Sequence, residues 1–326
     1  MKTNYFISTI FLMIILLSLL LTYHFFQQTL YFDEPVISSQ HHDETKLHFV
    51  LIVQELDSHY LQTLYKGAEA ASEKHNATIE YWGTKQTNIE DHIKLLEMAI
   101  ASKVDGILTQ GLSHEFEAVI DKATEKGIPV ILVDSDYEDN HHIPYVGTNN
   151  YQAGYDIGLL VLEEATGPTK VGIITGSLLA NNLNERIQGF QDAIAMDSRV
   201  EVVSTKSSNL NKIQGTEQTF QMLKQHPDLS VIFGTSAVDS IGISDGIEKA
   251  NHSSSILVYA FDDLDETISL IRKGKIHATL KQEPYDMGYT GVQLLISLLK
   301  KKDINKNFYT TTTILKKEDV DHASQN

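Results

Sequence analysis

The sequence predicts an α/β fold made of two successive Rossmann-like lobes with parallel sheets. Short apolar segments rich in Val and Ile alternate with helical segments along most of the chain, which is typical of βα units around a parallel sheet. The alternation stops at Gly167-Pro168 and then starts again with a comparable order of elements. The length of 326 residues also exceeds one typical core and suits two lobes.

The first repeat begins at Leu47. Its helices are predicted from apolar residues at helical spacing, as at Ile89, Ile93 and Leu96, and its strands from short runs of apolar and β-branched residues. The predicted strands are 47–53, 77–82, 104–109, 130–133 and 145–147, and the predicted helices are 61–74, 89–102, 115–126 and 151–165.

The second repeat begins at Lys170, and the same two patterns predict its elements. His226-Pro227-Asp228 interrupts it between a helix and the next strand. The predicted strands are 170–176, 200–203, 230–234, 256–261 and 277–282, and the predicted helices are 183–195, 215–225, 237–250, 264–273 and 285–299.

The strand at 130–133 leads to the main functional prediction. Pro129 prevents the preceding helix from resuming, and the apolar run then stops at Asp134. In open α/β sheets the carboxyl ends of the strands face the crevice that binds ligands, so Asp134 is predicted to be a ligand-binding carboxylate. The alternative is a helix or turn cap, because Ser135 and Asp136 also suit a turn.

Asp262 occupies the same position in the second repeat, directly after the strand at 256–261. The position predicts a second ligand-binding carboxylate. The alternative is an N-cap for the helix that starts at Leu264, although Asp263 could supply that cap instead.

Composition excludes several classes of function. A net charge of −17 disfavours nucleic acids and other polyphosphates, which need a basic face. The chain has no Cys, which removes disulfides, thiolate metal sites and attachment of lipid to an N-terminal Cys. No strand leads into a glycine-rich phosphate loop, and no nucleophile elbow is visible. His41-His42 and His141-His142 lack matched ligands, so neither a metal nor another cofactor is predicted.

Residues 1–26 are predicted to be a membrane anchor. Tyr5–Leu21 carries no charge, and an apolar run near twenty residues can span a bilayer as a helix. Lys2 before the run favours a cytoplasmic N-terminus, which would place the rest of the chain outside the cell membrane. The alternative is a cleaved signal peptide, but no small-x-small cleavage site follows the run. Residues 27–45 are interpreted as a polar linker.

Several motifs together resemble those of type I periplasmic binding proteins, most closely the branch that binds ribose, galactose and xylose. The resemblance covers about residue 46 to the C-terminus, and the motifs keep their order and nearly constant spacing. They are V-Q-E-L-D-S-H-Y at 53–60, V-D-G-I at 104–107, G-I-P-V at 127–130, V-G-T-N-N at 146–150, N-E-R-I-Q-G-F at 184–190, A-F-D at 260–262 and A-T-L-K-Q-E-P at 278–284.

The resemblance implies two lobes joined by a three-segment hinge (periplasmic binding protein type I). The crossovers would lie near Thr148-Asn149, near Gln282-Glu283 and near Thr311. Lobe one would comprise residues 46–148 and 283–311, and lobe two residues 149–282 and 312–326.

The resemblance also implies a sugar site. A sugar needs many hydrogen bonds to its hydroxyls and flat apolar surface for its C–H faces, so binding proteins combine carboxylates, amides and Arg with aromatic rings. The residues that match such positions are Asp134, Asp262, Arg186, Gln282, Tyr60, Asn149 and Ser236, and Gln54 and Asp57 at the end of the first strand could add hydrogen bonds.

Three of these residues have competing interpretations. Arg186 stands near a helix start, where positive charge is unfavourable, which indicates a specific partner; the alternative is a surface ion pair with Glu185 or Asp192. Tyr60 could instead pack within its lobe. Gln282 could serve only the hinge.

Two positions depart from the pattern of the family. The ribose and xylose binders carry Arg after the first Asp, whereas this chain has Ser135. Asn209 falls where an aromatic ring often stacks on the sugar.

The resemblance favours a membrane-anchored binding protein for a monosaccharide, with a pentose such as xylose or ribose as the expected ligand. It would close on its ligand and present the closed form to a LytS-type sensor histidine kinase. The alternative is the substrate-binding component of a sugar ABC transporter, whose partner would be a permease. An enzyme on the same scaffold is a third hypothesis, but no catalytic motif supports it.

Overall fold

The structure is a computed structural model, and it describes residue 13 and residues 15–23, 46–137, 140, 142–251 and 256–323. Two compact units divide the chain, residues 1–45 and residues 46–326. In the first unit, residue 13 and residues 15–23 are helical. No helix among the described residues is long and apolar enough to cross a membrane. The predicted span Tyr5–Leu21 lies partly outside the described residues, and the predicted linker at 27–45 lies wholly outside them.

The second unit contains two six-stranded sheets with corresponding strand orders. The first sheet has the order β11-β5-β4-β3-β1-β2 and the second the order β12-β10-β9-β8-β6-β7. The strands are β1 (Leu47–Val53), β2 (Ala77–Gly83), β3 (Gly106–Thr109), β4 (Val130–Val133), β5 (Tyr145–Gly147), β6 (Thr169–Thr175), β7 (Val200–Ser207), β8 (Val231–Gly234), β9 (Leu257–Phe261), β10 (Ala278–Lys281), β11 (Asn307–Tyr309) and β12 (Thr313–Lys316).

Helices connect most of the successive strands, as the alternation in the sequence predicts. A 3₁₀ turn (His114–Phe116) precedes α3. The helices of the second unit are α1 (His59–Lys74), α2 (Ile89–Ala101), α3 (Glu117–Glu125), α4 (Asn150–Glu164), α5 (Asn181–Ile194), α6 (Lys212–Gln225), α7 (Ala237–Ala250), α8 (Asp265–Arg272), α9 (Pro284–Leu299) and α10 (Lys317–Ala323). The two-lobe α/β fold with parallel sheets is therefore confirmed.

The central strands are apolar throughout because both faces of each sheet are covered. In β1, Phe49, Leu51 and Val53 join one buried cluster, whereas Val50 and Ile52 join the cluster on the opposite face. Successive side chains of a strand point to opposite faces, so a sheet covered on both sides requires a continuous apolar run. The second sheet is covered by two further clusters in the same way.

Three elements of the C-terminal part, namely β11, β12 and α10, were not predicted. β11 joins the first sheet in parallel to β5, while β12 joins the second sheet antiparallel to β10. The chain therefore passes between the sheets after Gly147, after Lys281 and between β11 and β12. α10 then packs against α8.

In each of two pairs of helices, a glycine lets the helices come into close contact. A Cβ atom on Gly154 of α4 would lie 1.9 Å from the carbonyl oxygen of Arg186 in α5. The corresponding distance from Gly288 of α9 to the carbonyl oxygen of Leu64 in α1 is also 1.9 Å. A side chain at either position would force the helices apart, so these glycines fix the placement of α5 and α1 over their sheets.

Candidate functional site

A cavity of about 180 Å³ opens at the carboxyl ends of the strands of both lobes. It is small compared with the pockets of roughly 300–1,000 Å³ that take drug-sized ligands. Its lining contains seven of the nine residues predicted from the sequence, namely Gln54, Tyr60, Asp134, Arg186, Ser236, Asp262 and Gln282.

The fold explains why these residues meet. In each sheet the first strand of the lobe lies between the second and third strands, so the order reverses there and leaves a crevice at the carboxyl ends. Gln54 follows β1 and Asp134 follows β4 in the first lobe, and Ser236 and Asp262 follow β8 and β9 in the second.

Asp134 is held by three side chains of lobe one. The hydroxyl of Tyr60 donates to Oδ1 at 2.9 Å, while Nε2 of Gln110 and the hydroxyl of Ser135 donate to Oδ2 at 2.7 and 3.1 Å. The side chain is only 8% exposed. Both oxygens thus accept hydrogen bonds from the protein, and Oδ1, with a single donor, keeps room for a further donor from a ligand.

Asp262 is held in a corresponding way in lobe two. Nε2 of Gln282 donates to its Oδ1 at 2.6 Å. Burial raises the pKa of this carboxyl, and Asp134 raises it further, whereas Arg186 opposes the shift. The loss of solvation thus outweighs the favourable contacts, which leaves Asp262 in need of additional donors.

The two aspartates share an uncommon backbone conformation. Their φ angles are 66° for Asp134 and 67° for Asp262, in the left-handed region that few non-glycine residues adopt. The backbone contacts correspond as well: each amide donates to the neighbouring strand, at Val146 and Leu280 respectively, both at 2.9 Å. Each carbonyl accepts a hydroxyl, from Tyr145 for Asp134 and from Thr279 for Asp262. The repeated geometry turns both carboxylates out of their strands at the edge that faces the cavity.

Arg186 is buried rather than paired at the surface, with 3% of its area exposed. Its Nε donates to Asn150 at 2.9 Å, Nη1 to the carbonyl of Thr235 at 2.7 Å, and Nη2 to Gln282 at 3.3 Å. Its guanidinium lies 3.7 Å from the ring centre of Phe261. Three of its five N–H groups are used in this way, so two remain for a ligand.

The two lobes touch across this site. Tyr60 belongs to lobe one, yet its pKa is raised well above the ordinary value by burial first and then by Asp134 and Asp262. Gln282 accepts a hydrogen bond of 2.6 Å from Thr148, so the first and second crossovers are joined beside the cavity. Tyr60 of lobe one therefore lies within electrostatic reach of an aspartate from each lobe.

Further acidic side chains surround the cavity. Burial raises the pKa of Asp136, which lines the cavity from lobe one. Burial also raises the pKa of Glu185 in lobe two, and Asp136 raises it further. Carboxylates thus lie on both sides of the cavity, and Arg186 supplies a charged donor. Such a site suits a neutral small molecule rich in hydroxyl groups.

Two predicted site residues lie elsewhere. Asp57 is exposed in the turn before α1 and does not line the cavity. Asn149 accepts a hydrogen bond from the amide of Gln152 and so acts as the N-cap of α4. Ser236 also caps a helix, α7, but it lines the cavity as well. Over the described residues, no group of three or more metal-binding side chains occurs; His41, His42 and His141 lie outside those residues.

Several residues that line the cavity were not predicted from the sequence. Asp136 and Leu112 follow strands of lobe one, and Asn181 and Asn182 begin α5 next to Arg186. The rule that identified Asp134, a polar residue directly after a strand, also points to Gln110 after β3.

Leu210, rather than Asn209, faces the cavity from the loop after β7. Both have φ angles of 52°, and this left-handed conformation costs a residue such as leucine about 1–2 kcal/mol. Leu210 is 47% exposed, and a Cβ atom on Gly176 would lie 2.3 Å from its Cδ2 atom. With Leu112 and Leu183 it provides aliphatic surface around the cavity.

The loop of Leu210 is anchored by a buried carboxylate, Asp239, which was not predicted either. Asp239 accepts hydrogen bonds from Ser208 and from Ser236, the latter at 2.7 Å, and is fully buried. Burial raises the pKa of Asp239 to about 6.

Comparisons with known proteins agree with this architecture. The sequence profile of a family described as periplasmic binding protein domain matches residues 49–303. A D-ribose/D-allose-binding protein of Pseudomonas aeruginosa is 26% identical over 271 residues, covering 79% of this chain and 84% of that protein. The ribose import binding protein RbsB of Bacillus subtilis is 24% identical over 263 residues, covering 78% of this chain and 83% of that protein.

Solved structures give the same result. GanP, a glucose-galactose binding protein from Geobacillus stearothermophilus, is 40% identical with a TM-score of 0.80, over 84% of this chain and 98% of that chain. A chain in the XylFII-LytSN complex is 32% identical with a TM-score of 0.77, over 84% of this chain and 99% of that chain.

Proposed function

The chain belongs to the periplasmic binding protein family, and we propose that it binds a monosaccharide between its two lobes. The observation that carries this proposal is the convergence of Asp134, Arg186 and Asp262 from both lobes on one small cavity. Two carboxylates and a guanidinium with free N–H groups match the alternating acceptor and donor character of sugar hydroxyls. The names of the similar proteins, which bind ribose, allose, glucose or galactose, support the same ligand class.

A pentose such as xylose or ribose is the favoured ligand. The cavity is small, and Asp134 and Asp262 stand close enough for both to act on Tyr60, so a compact ring can reach both lobes at once. A ligand that contacts both lobes stabilises the closed form over the open form, and only this difference in affinity can drive closure.

A thermal-shift screen with pentoses and hexoses tests the proposal. A bound sugar raises the melting temperature by mass action, by an amount that grows with its concentration. The same screen with Asp134→Ala and Arg186→Ala should show no such rise. If no sugar stabilises the wild-type protein, the proposed ligand class is wrong. If a sugar does so but both variants respond normally, the proposed site is wrong.

We infer a binding protein rather than an enzyme. The polar side chains that line the cavity are hydrogen-bond acceptors and donors, and bonds within the protein hold them in place. The similar proteins are named for binding or import. Incubating the best sugar with the protein and following it by chromatography checks this directly; turnover of the sugar by the wild-type protein would contradict the inference.

The cellular role that we favour is sensing at the cell membrane. The uncharged run Tyr5–Leu21 would anchor the chain as a single-pass protein with the lobes outside, and the likeness to a chain of the XylFII-LytSN complex suggests a sensor histidine kinase as partner. Expression of the full chain and of a chain lacking residues 1–26, followed by alkaline extraction of membranes, tests the anchor. Only the full chain should stay with the membrane pellet.

A second role is supported by other similar proteins. RbsB is named for ribose import, and another similar structure is titled as the sugar-binding protein of a sugar ABC transporter. Deleting the gene distinguishes the two roles. A sensor should be needed for a transcriptional response to the sugar, whereas a transport component should be needed for uptake of the labelled sugar.

A further inference from the structure

Gln110 connects two residues of the cavity without lining the cavity itself. It follows β3 directly, and its side chain is fully buried. Its Nε2 donates to Oδ2 of Asp134 at 2.7 Å, and its Oε1 accepts from the backbone amide of Gln54 at 2.8 Å. Because β3 lies between β1 and β4, this one carboxamide bonds to the loops that follow both of these strands.

These bonds determine which oxygen of Asp134 is available. Oδ2 receives two donors from lobe one, Gln110 and Ser135, whereas Oδ1 receives the Tyr60 hydroxyl alone. A carboxylate oxygen accepts about two hydrogen bonds, so the unused capacity is on Oδ1. Gln110 therefore fixes the rotation of the carboxylate that leaves Oδ1 for a ligand.

Lobe two repeats the arrangement with one difference. Gln282 donates to Asp262 at 2.6 Å, as Gln110 does to Asp134. Gln282 also accepts from Thr148 and Arg186, so it lies within the hinge and the cavity. Gln110 has neither of these contacts. Its side chain accepts from the amide of Gln54 and donates to Asp134, and both of these partners lie in lobe one.

We propose that Gln110 is a positioning residue for ligand binding, acting through the orientation of Asp134 and of the Gln54 backbone. This inference rests on the proposed sugar site. Each lobe thus has one glutamine–aspartate pair. Gln282 and Asp262 lie at the hinge, whereas Gln110 and Asp134 lie inside lobe one.

Two substitutions separate positioning from simple packing. Gln110→Glu keeps the shape of the side chain, but near pH 8 it places a second carboxylate against Asp134, which repels it. At pH 5 the introduced carboxyl can hold a proton and donate an O–H to Oδ2, as the amide did. Gln110→Leu has a similar size and cannot donate at any pH. Gln225→Glu, the same change at the exposed end of α6, is the matched control.

The measurement is isothermal titration with the best-binding sugar at pH 8 and pH 5, each value divided by that of the wild type at the same pH. Gln110→Glu should bind about tenfold or more weakly at pH 8 and recover most of that loss at pH 5. Gln110→Leu should stay weak at both pH values, and Gln225→Glu should match the wild type.

The opposite results overturn the inference while leaving the sugar site intact. If Gln110→Glu binds normally at pH 8, or shows the same relative loss at both pH values, Gln110 does not position Asp134. Loss of binding in Asp134→Ala and retained binding in the wild type show in the same experiment that the sugar site itself is correct. Melting temperatures without sugar identify any variant that fails to fold.

Discussion

Replacing Arg186 with lysine should separate its two roles, because lysine keeps the charge and loses the geometry. The guanidinium reaches Asn150, the Thr235 carbonyl and Gln282 in three directions and lies against the Phe261 ring. A lysine ammonium has three donors on one atom and cannot reach these acceptors together with a ligand. The protein contacts and the ligand contacts should therefore both weaken in Arg186→Lys.

The magnitudes follow from the hydrogen bonds. Leaving buried acceptors unpaired costs about 1–3 kcal/mol each, so two of them lower the free energy of unfolding by about 2–6 kcal/mol. Two N–H groups are free for the ligand, and loss of charge-assisted bonds of about 1.5–3 kcal/mol weakens sugar binding about tenfold to a hundredfold or more.

The assays are calorimetric unfolding without sugar and isothermal titration with the best sugar from the screen. Arg199→Lys is the matched control, because Arg199 is exposed and pairs with the nearby Asp197. It should change the free energy of unfolding by less than about 0.5 kcal/mol and leave affinity unchanged. Wild-type affinity in Arg186→Lys would refute the assignment of Arg186 as a ligand-contacting residue.

Three further predictions concern the surroundings of the site. Gly154→Ala should lower both the melting temperature and the affinity, because its Cβ atom would press on the backbone of Arg186; circular dichroism and titration measure the two effects. Burial raises the pKa of Asp239 to about 6, from about 3.9 in an unfolded chain. Ionisation of this buried carboxyl therefore lowers the free energy of unfolding as pH rises from about 4 to 7, by about 3 kcal/mol at about 1.4 kcal/mol per pKa unit. Urea unfolding across this range should show that fall in the wild type relative to Asp239→Asn, and parallel curves would contradict it. Leu210→Gly should change the free energy of unfolding by less than about 1 kcal/mol, because relief of the left-handed strain offsets lost packing, yet weaken sugar binding severalfold in titrations.

The alternation of strands and helices was readable from sequence because both faces of each sheet are buried. Continuous apolar runs such as β1 and β4 leave little ambiguity, and the carboxyl end of each strand then locates Asp134 and Asp262. β11 and β12 were missed since they are short edge strands, partly or mostly exposed, with no apolar run longer than two residues.

The candidate site was only partly readable because strand ends identify positions but not the directions of side chains. Asp57 is four residues beyond β1, where the turn before α1 exposes it, whereas Gln54 directly follows the strand and lines the cavity. The side chain of Asn149 instead caps the helix that follows it. Leu210 could not be expected, since its placement depends on two left-handed residues and on the buried bond between Ser208 and Asp239.

The most direct test of the account is a crystal structure of the protein with the sugar that stabilises it most. We expect one monosaccharide between the lobes, with hydroxyl groups within hydrogen-bond distance of Oδ1 of Asp134, of the Asp262 carboxylate and of the two free N–H groups of Arg186. A sugar bound outside this cavity, or one that contacts neither aspartate, would contradict the central claim.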